Sequence, residues 1–497
     1  MSMEQELLDV SLGRNLSSIK NKLNNCSDVN FRQIKIHHQM AYLIYIEGLT
    51  NVDDIQVHVI RDLFSNLKKE PVSLEVIRHE IVSIGQVSTE KKINVCVDLI
   101  LRGNTVLLID GLDEALLFQA KNFETRSISE PESESAIRGP REGFIESIAV
   151  NTSLIRRKIR STDFKVKMTQ VGEYTQTDVG LVYIEGLASD ELVKEVEERI
   201  NRIEADSILE TGYIEEFIED DPWSIFPQVQ VTERPDTVAA NLLEGRVAVI
   251  VDGTPFVIIL PATFWQQFQA SEDYYERFHI SIFLRILRFA FLWIALLLPS
   301  LYIATTTYHH EMIPTNLLLS ISASREAIPF PALVEAFIME LSFEALREAG
   351  VRLPKTIGQA VSILGALVIG TAAVEAGIVS APMVIIVSLT GIASFTVPKF
   401  SLAISIRLLR FPMMILAGVF GLFGIVVGVI AVTTHLCKLR SFGVPYFSPV
   451  APLSLTGLKD VLIRLPWWQE DVRPNQFVKQ NRRRQSHDLY PSPEQDQ

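Results

Sequence analysis

The spacing of hydrophobic and polar residues changes near residue 280. Before that point, short apolar runs alternate with charged stretches, as in globular α/β proteins, whereas long apolar runs dominate from 289 to 436. This change predicts an α/β soluble N-terminal region followed by an all-α polytopic membrane domain over 283–436. Four runs are long enough to cross a membrane as helices, namely 289–307, 356–374, 378–397 and 411–434.

Two motifs recur in the soluble region in the same order. YIEGL occurs twice, offset by 138 residues, and an apolar run ending in Asp-Gly occurs twice, offset by 142 residues. Each YIEGL is expected to end a strand, and each Asp-Gly to form the turn of a β-hairpin. The two copies therefore predict two related α/β subdomains. The copies are YIEGL at 45–49 and 183–187, TVLLIDG at 105–111 and VAVIVDG at 247–253.

These motifs and the local composition predict an order of domains. A polar Ser/Glu-rich stretch separates the two copies and is typical of a linker, and the last residues are polar and predicted to be disordered. The predicted parts are a flexible N-terminal arm (1–29), subdomain 1 (30–120), the linker (121–136), subdomain 2 (137–265), the membrane domain (283–436) and a C-terminal tail with a disordered end (437–497).

Several charged residues in the soluble region have a structural and a functional interpretation. Asp110 and Asp252 could be catalytic or metal-binding, but their position before glycine is explained by turn chemistry. Arg138, Arg141 and Glu142 surround Gly-Pro and form either a functional loop or a salt-bridge corner between the subdomains.

The segment 331–350 is apolar enough to enter a membrane but carries four glutamates. Glu340, Glu344 and Glu348 follow one another at i, i+4, so they share one face of a helix. Because a carboxylate in hydrocarbon costs several kcal/mol, that face must meet water, protein or the interface. The stripe either lines a cation pathway or belongs to an amphipathic helix on the membrane surface.

The number of spans depends on this segment. If it crosses, the domain has about five membrane helices and the basic residues between 347 and 410 lie on the cytoplasmic side, as the positive-inside rule favours. The C-terminal tail then lies on the opposite side. The first residues lack a signal peptide, so the N-terminal region is expected in the cytoplasm. Arg277, Arg285 and Arg288, just before the first run, support this orientation.

Composition narrows the function further. The formal charge of −13 gives no electrostatic footprint for nucleic acid. The three cysteines are far apart without metal-ligand spacing, and the sequence has no GxxxxGK[ST], HExxH or GxSxG motif. We therefore expect no enzyme activity, no cofactor and no metal site.

Three long segments resemble one known family. They are IRGPREGFIESIAVNTSLIRRKIR at 137–160, ERPDTVAANLLEGRVAVIVDGTPFVIILP at 233–261 and REAGVRLPKTIGQAVSILGALVIGTAAVEAGIVSAPMVI at 347–385. Their sequence closely resembles the GerA-type A subunit of spore germinant receptors, and the likeness extends over about residues 30–475.

The resemblance implies a subunit in the inner membrane of bacterial spores. Such a subunit works with a transporter-like, nutrient-binding B subunit and a lipoprotein C subunit. It oligomerises, as a pentamer, into a nutrient-gated channel for monovalent cations that triggers germination.

A channel needs a helix that packs closely around an axis and an apolar constriction that closes it. The segment 356–374 fits this need best. The alternative is that the same residues pack helices together and that the carboxylate caps one of them. The candidates are Gln359, Ser362 and Thr371 as polar lining, Val361, Val368 and Val374 as gate, and Glu375 at the mouth.

Three other functions remain open beside the channel. The chain could be a non-conducting scaffold of the receptor, a nutrient-binding transporter subunit, or a membrane-tethered enzyme. The repeat lies in the soluble half and the membrane half is short for a transporter, which favours nutrient binding by a separate subunit.

Overall fold

The chain folds into two compact units. In this computed structural model, an N-terminal unit comprises 1–220, 229–261 and 468–497, and a helical unit comprises 221–228 and 262–467. The structure describes residues 6–36, 38–66, 74–120, 130–131, 134, 136–354, 358, 365, 368–454, 457–478, 481–486 and 489–491.

The N-terminal unit contains two antiparallel five-stranded sheets with equivalent strand orders, β1-β2-β4-β5-β3 and β6-β7-β9-β10-β8. This shared order confirms the predicted α/β repeat. The first sheet contains β1 Val29–Ile36, β2 Gln39–Ile46, β3 Val87–Glu90, β4 Thr105–Ile109 and β5 Ala115–Phe118. The second contains β6 Phe164–Val171, β7 Thr177–Ile184, β8 Gln230–Thr232, β9 Val247–Val251 and β10 Val257–Leu260.

Helices cover these sheets. The Ser189 hydroxyl accepts a hydrogen bond from Leu192 N at 3.1 Å and so caps one of them. The helices are α1 Leu12–Lys22, α2 Val52–Ile55, α3 Arg61–Asn66, α4 Leu74–Val76, α5 Ile93–Leu101, α6 Ile148–Lys158, α7 Asp190–Asn201, α8 Thr211–Ile218 and α9 Pro235–Leu242, with π-helical turns at Gln56–Ile60 and Ile77–Ile81.

Both Asp-Gly motifs form hairpin turns, and each aspartate also holds the start of a helix. Asp110 Oδ1 accepts a hydrogen bond from Leu12 N at 3.2 Å, at the start of α1. Asp252 Oδ1 accepts one from Ile148 N at 3.0 Å, at the start of α6. A carboxylate at a helix N-terminus satisfies a free N–H group and interacts favourably with the helix dipole. The two aspartates thus have equivalent structural roles in the two subdomains.

The flexible arm predicted for 1–29 differs from the structure, because α1 is part of the core of subdomain 1. Leu12, Ile19 and Leu23 are buried, at i, i+7 and i+11 of an amphipathic helix. Asn15 makes the same two hydrogen bonds to the backbone before α1 that Asn151 makes before α6. The repeat therefore begins with α1.

The two subdomains are joined by a buried ion pair. Arg156 donates from Nε and Nη2 to the two Asp28 carboxylate oxygens at 2.5 and 2.8 Å, and its guanidinium lies 4.6 Å from the Phe164 ring centroid. The Arg156 side chain is fully buried. Val166 also exchanges backbone hydrogen bonds with Asn25 and Ser27. The contact between the subdomains is therefore specific and dehydrated.

The helical unit contains α10 Phe278–Thr307, α11 Thr315–Arg325, α12 Ala332–Arg352, α13 Ala373–Glu375, α14 Ala381–Ser394 and α15 Phe400–Lys438, followed by the short strands β11 Arg440–Ser441 and β12 Val444–Pro445. Within the described residues, α10 and α15 are long and apolar enough to cross a membrane, by length and composition. The predicted span 378–397 is instead the 14-residue α14, and most of 356–374 lies outside the described residues.

The predicted single span 411–434 is wrong, because α15 is interrupted at Gly421 (φ +62°). A Cβ placed on Gly428 would lie 3.1 Å from Leu416 Cδ1, although twelve residues of a straight helix extend about 18 Å. The chain therefore reverses direction at Gly421. Only glycine adopts this φ without strain, and Gly428 allows the two arms of the hairpin to approach closely.

The reversal returns the chain to the end of the helical unit where it began. His435 Nε2 lies 2.9 Å from Ser224 Oγ, and Ala262 N donates to Ser441 Oγ at 3.0 Å. The expectation of a C-terminal tail on the far side assumed a single span over 411–434. The reversal at Gly421 removes this assumption.

The segment 437–497, expected to be a tail, has buried residues between 439 and 478. Tyr446 is fully buried within the helical unit. In the N-terminal unit Val478 is fully buried, the Arg246 guanidinium stacks 4.1 Å from the Phe477 ring centroid, and Arg473 Nε donates to Leu243 O at 2.8 Å. These contacts extend the fold beyond the membrane helices.

Replacing Arg156 with Met should show how much the ion pair between the subdomains contributes to the stability of the N-terminal unit. The Asp28 carboxylate would remain buried without its partner, which costs about 3–5 kcal/mol. We expect amide protection in β6 and β7 to fall by about two to three orders of magnitude in hydrogen exchange of the full chain. The control Arg102→Gln breaks a half-exposed pair with Asp98 and should change protection less than threefold, by about 0.5 kcal/mol. Equal protection in the two variants would contradict this account of the junction.

The position of Cys437 should reveal the side to which the hairpin returns. Cys437 is exposed, whereas Cys26 and Cys96 are buried. Burial raises the pKa of Cys96 to about 12 and raises that of Cys26, so both react slowly with maleimides. We expect a membrane-impermeant maleimide to label Cys437 in vesicles that expose the N-terminal unit. In the Cys437→Ser background, Glu311→Cys should react only from the opposite side. Labelling of both positions from one side would refute the reversal.

Candidate functional site: buried charges around α12

The glutamate-rich helix α12 lies inside the helical unit, beside α10, α14 and α15. Glu335 and Glu340 are fully buried, together with Ala332, Ala336 and Met339. An amphipathic helix on a membrane surface would turn its carboxylates to water. The burial of two carboxylates against neighbouring helices places α12 in the bundle interior instead.

Glu340 and Arg410 form a buried ion pair that connects three helices. Arg410 Nη1 donates to Glu340 Oε2 at 2.5 Å, and Arg410 Nε donates to Ala295 O at 2.8 Å. The arginine belongs to α15, the glutamate to α12 and the carbonyl to α10. Their side chains are at most 1% exposed. Glu340 Oε1 and Arg410 Nη2 have no hydrogen-bond partner, so the pair is incompletely satisfied.

The other two members of the acidic stripe also face arginines. Glu344 pairs with Arg347 and lies 3.6 Å from Arg407 Nη1, and Glu348 pairs with Arg352 at 2.5 Å on the exposed end of the helix. The helix face predicted to carry Glu340, Glu344 and Glu348 is thus a row of ion pairs. A row of this kind has little net charge with which to attract cations.

Glu335 forms a second buried cluster at the opposite end of α12. Its Oε1 accepts hydrogen bonds from Ser380 N at 2.5 Å and from the Ser380 hydroxyl, while its Oε2 lies 3.6 Å from Arg325 Nε. The i, i+4 pattern omitted this residue because it lies five positions before Glu340. The position of Glu335 within an apolar run, where charged residues are rare, could by itself have indicated a functional residue.

The pore candidates are partly described. Val368 begins the π-helical turn Val368–Ala372, which contains Thr371 and precedes α13. Thr371 and Glu375 are exposed, and Val374 is half-buried against the core of the helical unit. Gln359, Val361 and Ser362 lie outside the described residues.

Arg141 and Glu142, two of the loop candidates of the soluble region, form ion pairs with residues close to them in the sequence. Glu142 lies 3.3 Å from both Arg157 and Lys158 at the end of α6, and Arg141 lies 3.1 Å from Glu130. Arg138 and Arg141 are exposed. The salt bridge between the subdomains is formed by Arg156 and Asp28 instead, which the sequence analysis did not single out.

Two arginines expected to mark the cytoplasmic end of the first span are buried. Arg285 donates to Asp273 at 3.2 Å and to Asp460 at 2.8 Å, and Arg288 donates to Asp273 at 2.7 Å. Their charges stabilise the base of α10 and give no indication of orientation. In the parts of the chain that the structure describes, no three His, Cys, Asp or Glu residues are grouped as metal ligands.

The chain matches a known protein family over most of its length. Residues 17–476 match the family described as Bacillus/Clostridium GerA spore germination protein. The chain belongs to this family. Membership confirms the resemblance of the three long segments and covers both units.

Individual relatives match nearly the whole chain. The Bacillus subtilis "Uncharacterized membrane protein YfkQ" is 53% identical over 95% of this chain and 92% of its own length. The "Spore germination protein KA" of the same organism is 48% identical over 98% and 90%. A crystal structure of the N-terminal domain of the A subunit of the Bacillus megaterium spore germinant receptor GerK3 is 37% identical, with a TM-score of 0.43, over 52% of this chain and 98% of that one.

The Glu340–Arg410 pair should show strong non-additivity. Removing one partner leaves a buried charge uncompensated at about 3–5 kcal/mol, whereas removing both leaves none. We expect Arg410→Met to lower the thermal unfolding temperature of the purified chain more than Glu340→Leu/Arg410→Met does, followed by tryptophan fluorescence. Arg352→Gln, at an exposed pair, is the control and should shift it by about 1 °C. A double variant less stable than Arg410→Met would contradict a dehydrated pair.

Proposed function

We propose that the chain is the A subunit of a nutrient germinant receptor and that it oligomerises, as a pentamer, into a nutrient-gated channel for monovalent cations. The observation that carries the proposal is the match to a spore germination family over residues 17–476, which includes a helical unit with buried charges. The complex lies in the inner membrane of spores, and its opening triggers germination.

The helical unit supplies features that a gated pore needs. Buried ion pairs around α12 connect several helices, so a shift of one helix changes the environment of the others. The π-helical turn at Val368–Ala372 is a geometry that often occurs at functional positions. Thr371 and Glu375 are exposed beside it and supply polar groups at a pore mouth. The segment 356–374 is the pore-lining helix in this proposal, with valines as its apolar gate.

Nutrient recognition belongs to a partner in this proposal. A transporter-like B subunit binds the nutrient and a lipoprotein C subunit completes the complex. In this proposal the N-terminal region faces the spore core on the cytoplasmic side. The reversal at Gly421 supports placing the C-terminal segment on the same side. No enzyme activity is part of this function.

A non-conducting scaffold is the second candidate, and one observation favours it. Glu340 and Glu344 face arginines of α15, so this part of the stripe is suited to holding helices together. In a scaffold the same pairs would serve assembly of the receptor, and cations would cross through another protein.

Cation flux separates these functions. With the A, B and C subunits co-expressed in growing cells, we expect a nutrient to depolarise the membrane and release potassium. Val368→Ala, which widens an apolar constriction, should raise the flux without nutrient several-fold, and Glu375→Gln should lower the nutrient-dependent flux. Val351→Ala and Glu311→Gln, at exposed positions, are the matched controls and should leave both fluxes unchanged.

Two other outcomes would replace the proposal. Normal germination of spores without conductance in either setting would assign this chain a scaffold role. Saturable nutrient binding by the purified chain without a B subunit would assign it the role of a nutrient-binding transporter subunit.

A further inference from the structure

Four side chains from different parts of the helical unit converge at one end of α12. They are Tyr302 of α10, Arg325 at the end of α11, Glu335 of α12 and Ser380 before α14, and we call them the Glu335 cluster. Glu335 is fully buried, Ser380 is 1% exposed and Tyr302 is 8% exposed. The Arg325 side chain is the most exposed of the four, at 21%.

The carboxylate of Glu335 is fixed through one oxygen. Its Oε1 accepts from the backbone N–H and the hydroxyl of Ser380, which is the N-cap of α14. These two hydrogen bonds attach the carboxylate to the start of α14, so Glu335 is held in a fixed orientation.

The other oxygen of the carboxylate is left without a hydrogen bond. Glu335 Oε2 is buried and unpartnered, and so is the neighbouring Arg325 Nε, 3.6 Å away. This distance is too long for a hydrogen bond. By contrast, Arg410 binds Glu340 at 2.5 Å and also donates to a main-chain carbonyl. Arg325 thus neutralises Glu335 by proximity, without the directional bonds that hold the Glu340 pair.

A further oxygen is buried beside these groups. The Tyr302 hydroxyl interacts with Ser380 and with the charges of Glu335 and Arg325, and it makes no hydrogen bond of good geometry. Buried polar atoms in proteins nearly always have partners, and exceptions indicate strain, function or a missing ion or water. Three unpartnered polar atoms at one buried point therefore indicate a place for a small polar ligand.

We propose that the Glu335 cluster is a binding site for a monovalent cation and that the Arg325 side chain occupies this site when no cation is bound. Glu335 Oε2 and the hydroxyls of Tyr302 and Ser380 supply oxygen ligands, as alkali cations require. A single carboxylate matches a single positive charge, whereas Ca²⁺ sites use several carboxylates and carbonyls. When Arg325 leaves through the solvent-exposed side, a cation replaces its charge. The inference rests on the proposed channel, since it assigns one cation site along its path.

The binding site can be tested without any measurement of conductance. We would purify the full chain in detergent and compare thermal unfolding in potassium chloride with that in choline chloride at equal ionic strength. Arg325→Gln removes the side chain that occupies the site, so we expect potassium at ten times its Kd to raise the unfolding temperature of the helical unit by about 3 °C. The wild-type chain should show a shift several-fold smaller.

Two variants assign the effect to the cluster. Adding Glu335→Gln to Arg325→Gln should abolish the potassium shift, and adding Tyr302→Phe should raise the potassium concentration required several-fold. Arg352→Gln is the matched control, because it removes an arginine from an exposed pair with Glu348, and it should show no potassium shift. If Arg325→Gln does not fold, Arg325→Lys serves instead, with a potassium shift larger than that of the wild type.

Equal unfolding temperatures of a folded Arg325→Gln chain in the two salts would overturn the inference. So would a potassium shift that survives Glu335→Gln. Either result leaves the channel proposal standing if the wild-type complex conducts in the flux assay. Conversely, a complex that does not conduct refutes the channel and leaves the binding measurement as an independent result.

Discussion

The helical unit depends on how it neutralises charges that its apolar sequence cannot solvate. A lone arginine or carboxylate at the centre of a membrane helix costs about 3 kcal/mol or more. Arg410 and Glu340 avoid this cost only when α15 and α12 are adjacent, and the Ala295 carbonyl of α10 accepts a further bond from the arginine. The ion pair therefore specifies which helices are neighbours, a selection that apolar packing within lipid does not make strongly.

The same arrangement occurs in both units: a carboxylate accepts a hydrogen bond at the start of a helix that is distant from it in the sequence. Asp110 does so for α1, Asp252 for α6 and Glu335 for the cap of α14. Each bond fixes the orientation of a helix relative to a distant element, with help from the helix dipole. In the N-terminal unit these bonds give the two subdomains the same arrangement of helix and turn. In the helical unit the bond to Ser380 uses one carboxylate oxygen of Glu335, and the other oxygen has no hydrogen bond.

The sequence predicted features whose signals are local. The YIEGL and Asp-Gly motifs placed strands and hairpins correctly because turn chemistry and alternation act over a few residues. The helix α1 was missed, although SLGRN at 11–15 corresponds to SIAVN at 147–151, because its polar surface obscured the apolar face. The reversal at Gly421 was missed for the opposite reason, since a continuous apolar run contains no polar break. Partners of buried charges could not be predicted, because Glu340 and Arg410 are 70 residues apart.

The buried charges require α12 to run through the interior of the helix bundle, beside α14. A cross-link between these two helices tests this position most directly. Gly391 of α14 packs against the Phe343 ring so closely that a Cβ on that glycine would overlap it. A chain with Phe343→Cys and Gly391→Cys, and with its native cysteines replaced, should be joined by a short bis-maleimide in intact membranes. A pairing of Val351→Cys, at the exposed end of α12, with Gly391→Cys should not be joined. If neither pair cross-links while the protein is folded, α12 lies outside the bundle and the buried-charge account fails.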